Sequence, residues 1–338
     1  MKQNISILTV LSEHERAWFF SGVNRARLSQ YSPMEEWIYP PDNQADWEAL
    51  MIARNPRVIV GAWSLPKLDR GILEACPELE YICYVNGSLR HKADIHFWER
   101  GGVASNWGSL VSHCVAECAL TLVLGSLRRV PKFCHIMHVE RAYRPNGKDL
   151  SPQGLFGKKV GIHGFGNVAK QFMRLVEPFG VDVEVWSNPV PDAVFTKHQV
   201  KKAASLADLF ANNDVIVEVE ALTPESEGSV SRQVIANMRP GTVFVNVGRG
   251  AMVDEEALAE RVALGEILVG LDVYQEEPLP ESSLLRGQQN ALLLPHTAGP
   301  TSDVYPDCGT AALDNLEAWM RGEALPQVHT REHVLHST

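Results

Sequence analysis

A chain of 338 residues, 45% of them hydrophobic, is long enough for two domains that each bury a sizeable core. Its 41 acidic against 31 basic side chains leave a formal net charge of -10, which argues against a surface devoted to nucleic-acid phosphates. The six cysteines (Cys76, Cys83, Cys114, Cys118, Cys134 and Cys308) are scattered, as suits thiols in a reducing cytoplasm better than a disulfide framework.

The apolar run from Ile5 to Leu11 is predicted to be a strand. Ser12-Glu13-His14-Glu15 closes it at once, so it is no secretory signal, and a helix starts near Glu13. Val58-Ile59-Val60 runs to Gly61, a helix follows through Leu68, Ile72 and Leu73, and Tyr81 to Val85 forms a third strand ending at Asn86-Gly87. Strands alternating with helices predict a parallel sheet covered on both faces, with ligands at the carboxyl ends of its strands. The Asn86-Gly87-Ser88 loop is therefore a candidate binding element.

Leu110 to Leu127 is the most apolar long stretch, but it carries His113 and Glu117 and ends in Arg128-Arg129. Those charges are expensive inside a bilayer, so it reads as a buried amphipathic helix and not a membrane span. Cys114 and Cys118 lie one helical turn apart beside His113, yet no second cluster completes a ligand set, so no metal is expected. A polar connection from Tyr143 to Asp149 precedes a second series. Its strands fall at 158–163, 181–186, 214–219, 242–247, 267–273 and 291–294, with helices at 167–179, 204–211, 230–238 and 254–264. A last helix spans Thr310 to Trp319.

The first strand of the second series runs straight into Gly164-Phe165-Gly166-Asn167-Val168-Ala169. A strand, a tight glycine turn and an amphipathic helix are the context of a dinucleotide fingerprint. Gly164 permits the turn, Gly166 lets backbone approach a pyrophosphate, and Ala169 suffices for close helix packing. About 20 residues on, an acid normally accepts hydrogen bonds from the adenosine ribose of NAD; Ser187 stands there, followed by Asn188. Without that carboxylate a 2′-phosphate is tolerated, so the cofactor reads as NAD or NADP with a lean to NADP, although no arginine follows to clamp the phosphate. Glu218 and Glu220, ahead of Leu222-Thr223-Pro224, weaken that lean.

The segments from Gly241 to His296 resemble the D-isomer-specific 2-hydroxyacid dehydrogenase family. The likeness rests on Asn246-Val247-Gly248-Arg249-Gly250, Val253-Asp254-Glu255-Glu256-Ala257-Leu258, Leu271-Asp272-Val273-Tyr274-Gln275-Glu276-Glu277-Pro278 and Leu294-Pro295-His296-Thr297-Ala298-Gly299. The resemblance places the family's arginine, glutamate and histidine at Arg249, Glu277 and His296, with Glu276 the nearest rival to Glu277. A guanidinium fork suits the carboxylate and carbonyl of a 2-oxo acid, and a histidine exchanges the proton that accompanies hydride transfer. A carboxylate beside it fixes its tautomer.

By the same resemblance, Gly164, Phe165, Gly166, Asn167, Val168, Ser187, Asn188, Leu222, Val247, Gly248 and Asp272 line the cofactor, Asp272 by accepting from its carboxamide. Val85, Asn86 and Gly87 offer backbone N–H groups to the substrate carboxylate, and Arg90, His91 and Trp107 stand close enough in sequence to contribute.

The resemblance implies an α/β protein of two Rossmann-like doubly wound domains. Residues 121–300 form the dinucleotide-binding domain, inserted into a substrate domain of residues 1–120 and 301–338, with a cleft between them. It implies a cytoplasmic homodimer that reduces glyoxylate, hydroxypyruvate or a similar small 2-oxo acid. Phosphoglycerate-type oxidation is the next choice, disfavoured by the lack of a regulatory domain after Thr338. A dinucleotide-sensing corepressor without turnover is the alternative from another class. No membrane or nucleic-acid partner is expected.

Overall fold

The structure, a computed structural model, describes residues 5–143, 151–188 and 190–336. Most of the expected polar connection after Tyr143 lies outside the described residues, as does Pro189.

The chain divides into two units, residues 1–111 with 300–338, and residues 112–299. The first opens with β1 (Ile7–Val10), α1 (Glu13–Phe19), α2 (Gly22–Ser29), α3 (Gln44–Arg54) and β2 (Val58–Gly61), then α4 (Arg70–Ala75), β3 (Tyr81–Tyr84), α5 (His96–Glu99) and β4 (Val103–Ser105). The second holds α6 (Ser112–Leu127), α7 (Val130–His138), β5 (Lys159–His163), α8 (Asn167–Val176), β6 (Asp182–Trp186), α9 (Asp192–Lys197) and β7 (Lys201–Lys202). It continues through α10 (Leu206–Asn212), β8 (Val215–Glu218), α11 (Arg232–Ala236), β9 (Val243–Asn246), α12 (Glu255–Ala263), β10 (Leu268–Leu271) and β11 (Ala291–Leu293). The first unit resumes with α13 (Tyr305–Arg321) and α14 (Arg331–His336).

The residues that close the first apolar run make a helix start. Ser12 Oγ accepts from the Glu15 N–H at 3.3 Å, and the Glu15 carboxylate accepts from the Ser12 N–H at 2.8 Å, a reciprocal cap that satisfies two helix-end donors. The first sheet is parallel with order β1-β2-β3-β4. Ile38 makes a single parallel bridge to Val10 and so reverses the strand order at β1. β2 and β3 are buried throughout, which explains why they read as continuous apolar runs without alternation.

The second sheet is also parallel, with order β11-β10-β9-β8-β5-β6-β7. Successive strands step outward from β5 in both directions, so the carboxyl ends of β5 and β8 flank a topological switch point, where open α/β sheets bind ligands. α6 belongs wholly to this unit: Ala116, Ala119, Leu122 and Val123 are fully buried in one core with Val160, Val245 and Leu268. Its His113 and Glu117 remain exposed. The chain therefore enters the second unit at Ser112, not near Leu120, because the helix expected to straddle the crossing packs on one sheet along its length.

No helix among the described residues is long and apolar enough to cross a membrane. The cysteines form no disulfide.

Candidate active site

β5 delivers the chain to Gly164, whose φ of +108° is open to glycine alone at little cost. A Cβ there would lie 2.6 Å from Glu220 N and 2.7 Å from Glu220 Cα, so the turn is also pressed against the backbone that follows β8. Gly166, by contrast, has nothing within 4 Å of where its Cβ would be, and it caps α8 without a side-chain acceptor. Open space above Gly166, with the first N–H groups of a helix facing it, is the cradle that a pyrophosphate needs. The residues present thus fit a dinucleotide.

Asn167 is exposed and Val168 half-buried at the start of α8, whereas the Phe165 side chain is buried against Phe195. The Phe165 ring thus packs within its own unit. Val247 and Gly248 follow β9, Asp272 follows β10, and Leu222 is half-buried beyond β8, all at the same carboxyl edge. Asn188 is exposed after β6.

Beneath the turn lies a polar network that reading the sequence did not anticipate. His163, in register with Glu218, is 3% exposed and meets its carboxylate through Nδ1 at 2.5 Å. Burial pulls the imidazole pKa down, but the charge and hydrogen bond of Glu218, with Glu220 behind them, outweigh burial and leave it above its ordinary value. The other Glu218 oxygen accepts the N–H of Glu220 at 2.8 Å. The signal was present as one charged residue at the end of each of two adjoining apolar strands.

The three candidate catalytic residues all lie in the second unit. His296 Nδ1 and Glu277 Oε2 are 2.7 Å apart, and Glu277 Oε1 accepts the Tyr274 N–H at 3.0 Å. Glu277, not its neighbour Glu276, is the acid brought to the histidine. The imidazole is half exposed, and an Nδ1–H given to a carboxylate leaves Nε2 as the nitrogen available to a ligand. His296 has φ +55°, a left-handed conformation costing a non-glycine residue about 1–2 kcal/mol.

Asp272 holds that turn in place. Its carbonyl accepts the His296 N–H at 2.9 Å, and its carboxylate accepts from Thr297 at 2.7 Å and Ala298 at 2.9 Å. Asp272 is 1% exposed, so both carboxylate oxygens are committed to positioning His296, a role its expected carboxamide contact did not include.

Arg249 precedes a short 3-10 turn at Gly250–Met252 and donates from Nη1 to the Gly248 carbonyl at 2.7 Å. Burial lowers its pKa and the charge of Glu277 opposes that shift; a guanidinium keeps its charge under such conditions. Asn246 shapes the loop from below, donating to the Arg249 carbonyl at 3.1 Å and accepting the Gly248 N–H at 2.9 Å.

In the first unit, the 85–88 loop departs from expectation. Val85 is fully buried and its N–H goes to the Gly61 carbonyl at 2.8 Å. The Gly87 N–H goes to the Asn86 side chain at 2.6 Å. Neither is the free donor that a carboxylate-binding loop was expected to present, because Val85 is tied to the end of β2 and the Asn86 side chain satisfies Gly87 within the turn. Trp107 is 8% exposed and packs edge-on to Trp63, with its Nε1 3.4 Å from where a Gly87 Cβ would stand. It buttresses the loop from its own unit.

Asn106, which the sequence did not single out, donates to the Gly87 carbonyl and lies 3.2 Å from His329 Nδ1. His329 is 2% exposed, and burial, helped by His333, holds its pKa down to about 4. An unfolded histidine titrates at about 6.5, so as pH falls the unfolded chain takes up this proton first. The neutral ring's contribution is complete above about 6.5 and is lost on acidification to about 4, amounting to about 3 kcal/mol at most. The Tm advantage of the wild type over His329→Gln is expected to shrink across that window. A gap independent of pH would refute it.

Comparison with known proteins adds to this geometry. The family model of the NAD binding domain of D-isomer specific 2-hydroxyacid dehydrogenases matches residues 120–298. A glyoxylate reductase/hydroxypyruvate reductase of Mus musculus is 30% identical over 79% of this chain and 84% of its own. A hydroxyphenylpyruvate reductase of Plectranthus scutellarioides is 31% identical over 86% of this chain and 89% of its own. The crystal structure of an NADPH-dependent glyoxylate/hydroxypyruvate reductase from Sinorhizobium meliloti superposes with a TM-score of 0.75 at 26% identity, covering 96% of this chain and 97% of the other.

Proposed function

The chain belongs to the D-isomer specific 2-hydroxyacid dehydrogenases, and from that premise we propose that it reduces a small 2-oxo acid, with glyoxylate and hydroxypyruvate the first candidates. Membership makes it an NAD(P)-dependent oxidoreductase acting on CH–OH groups. The observation that carries the finer reading is the His296–Glu277 hydrogen bond of 2.7 Å, with the Arg249 cation within reach of the Glu277 charge.

A bound reduced nicotinamide would supply hydride to the carbonyl carbon, held by the Gly164–Val168 turn and the strand ends at Val247 and Gly248. Arg249 binds the substrate carboxylate and carbonyl oxygen with its planar fork. As negative charge grows on that oxygen, His296 Nε2 donates its proton, and Glu277 keeps the ring oriented and stabilises the cation that precedes transfer. In the oxidative direction the same nitrogen accepts the hydroxyl proton. Hydride plus this one proton convert the 2-oxo acid to the 2-hydroxy acid.

The test is a panel of 2-oxo acids with NADH and NADPH, followed by nicotinamide absorbance. Turnover of glyoxylate or hydroxypyruvate above the rest supports the substrate assignment, and cofactor binding without turnover on the whole panel sinks it. Arg249→Lys keeps the charge but loses the fork, so its KM is expected to rise about 10- to 100-fold, the worth of one hydrogen bond to a charged group. An unchanged KM would remove Arg249 from the carboxylate. The same reading carries a cytoplasmic homodimer without a nucleic-acid partner; exposed Met137 and Val139 at the end of α7 suit a subunit contact, and sedimentation tests it.

A further inference from the structure

The end of β6 is where a dinucleotide site reads the adenosine ribose, and an acid there accepts from the 2′-hydroxyl and repels a 2′-phosphate. This chain has Ser187 at that place, yet a carboxylate stands beside it all the same. Ser187 is fully buried and its hydroxyl donates to Glu220 Oε2 at 2.5 Å. Glu220 arrives from two residues beyond β8, on the opposite side of β5 from β6. Its position is set by main chain: its N–H is held by Glu218, its Oε1 accepts the Ala221 N–H at 2.9 Å, and its backbone is the surface that Gly164 abuts.

We propose that Glu220 is the specificity-determining acid of the cofactor site, supplied from the β8 side in place of the missing β6 acid, and that it selects NAD(H) over NADP(H). This reverses the lean drawn from Ser187 alone, and it rests on the dinucleotide reading of the Gly164 turn.

Charge accounting supports it. Glu218 takes the His163 hydrogen bond, and the one imidazole is shared electrostatically by both acids, so the group stays net negative; the Glu220 carboxylate, 7% exposed, is hydrogen-bonded only to a neutral hydroxyl and one backbone N–H. The Glu220 oxygens keep lone pairs for a ribose hydroxyl at their exposed edge, while the covered Ser187 Oγ holds the carboxylate in place. A 2′-phosphate would bring nearly two further negative charges against a carboxylate that solvent barely screens. The basic side chains around the turn do not offset this. Lys202 is paired with Asp192 at 2.5 Å. Lys170 lies over the Phe165 ring at 5.3 Å and is half-buried, so solvent screens it more than it screens Glu220. His198 and Lys197 are exposed.

The test is binding of NADH and NADPH to the full-length protein without substrate, followed by protein fluorescence or calorimetry. Wild type is expected to bind NADH about ten-fold or more tightly than NADPH, and Glu220→Gln, which keeps shape and removes charge, is expected to bring the two within about three-fold by gaining NADPH affinity. Ser187→Ala is expected to weaken NADH binding while the preference persists. Equal binding of both cofactors by wild type, or an undiminished preference in a Glu220→Gln protein whose Tm shows it folded, overturns the inference and leaves the dinucleotide reading standing. Binding of neither cofactor overturns both.

Discussion

Replacing His296 with alanine is expected to lower kcat for 2-oxo acid reduction by about 10²- to 10⁴-fold, the usual worth of a positioned general acid, while cofactor affinity stays within about two-fold. The magnitude follows from how fully the local structure is committed to this ring. Asp272 gives its carbonyl and both carboxylate oxygens to the residues from His296 to Ala298. Glu277 has one oxygen on the ring and the other on the Tyr274 backbone. The left-handed φ of His296 is maintained by these bonds. Because Asp272 meets His296 itself only through main chain, alanine preserves the turn, so any loss belongs to the imidazole. Single-turnover rates with NADH and titration of NADH fluorescence check the two halves separately. Variant turnover equal to the parent would remove His296 from proton transfer, and a collapse of NADH affinity would make it a binding residue.

Gly250→Ala is expected to abolish activity and lower Tm by about 5–15 °C, through backbone overlap costing about 3 kcal/mol or more. A Cβ at this position would stand 1.8 Å from the Tyr274 carbonyl carbon and 1.9 Å from its oxygen. Flexible side chains could yield, but the obstacle here is main chain, and Tyr274 is anchored. Its hydroxyl donates to the Leu294 carbonyl at 2.8 Å and its N–H to Glu277, while the Gln275 N–H is held by Glu255 at 2.8 Å. Any shift that relieves the overlap pulls either Arg249 or Glu277 from its place. Gly154→Ala, where a Cβ meets nothing within 4 Å, is the control and should change stability by less than about 0.5 kcal/mol. Thermal melts of both variants beside activity decide the matter; a Gly250→Ala protein with parental Tm and turnover would show that the loop yields freely.

The central strands of the second unit were legible because each is a short apolar run bounded by turn residues: β5, β8, β9 and β10 fall inside the predicted ranges. What escaped were elements whose pattern is short or mixed. α2 buries only Asn24 and Leu28, so it shows no apolar stripe. β7 is Lys201–Lys202, a two-residue edge strand with nothing hydrophobic to mark it. α3 places Trp47 and Met51 at helical spacing among polar residues, and its left-handed cap at Asn55 was a readable stop.

For the site, residue types and order pointed to Arg249, Glu277 and His296, and adjacency in space then singled out Glu277 over Glu276. Contacts made by residues far apart in sequence were beyond reach of pattern. Ser187 and Glu220 meet across the end of β5, and Asn106 and His329 meet across 223 positions. A serine in place of an acid reads as a loss when its partner lies on another strand.

The hydrogen bonds that radiate from the end of β10 have a consequence for how this enzyme can be altered. Arg249, Glu277, His296, Asp272 and the Gly164 turn all belong to residues 112–299, whereas the Asn86–Gly87 loop with its Trp107 and Asn106 supports belongs to the other segment. On the proposed mechanism, the hold on the substrate acid and the redox and proton chemistry form one inheritable cassette, encoded in a single uninterrupted stretch of gene. Exchanging residues 5–111 for those of a relative should therefore leave the pH dependence of the chemical step unchanged, since it travels with the 112–299 segment.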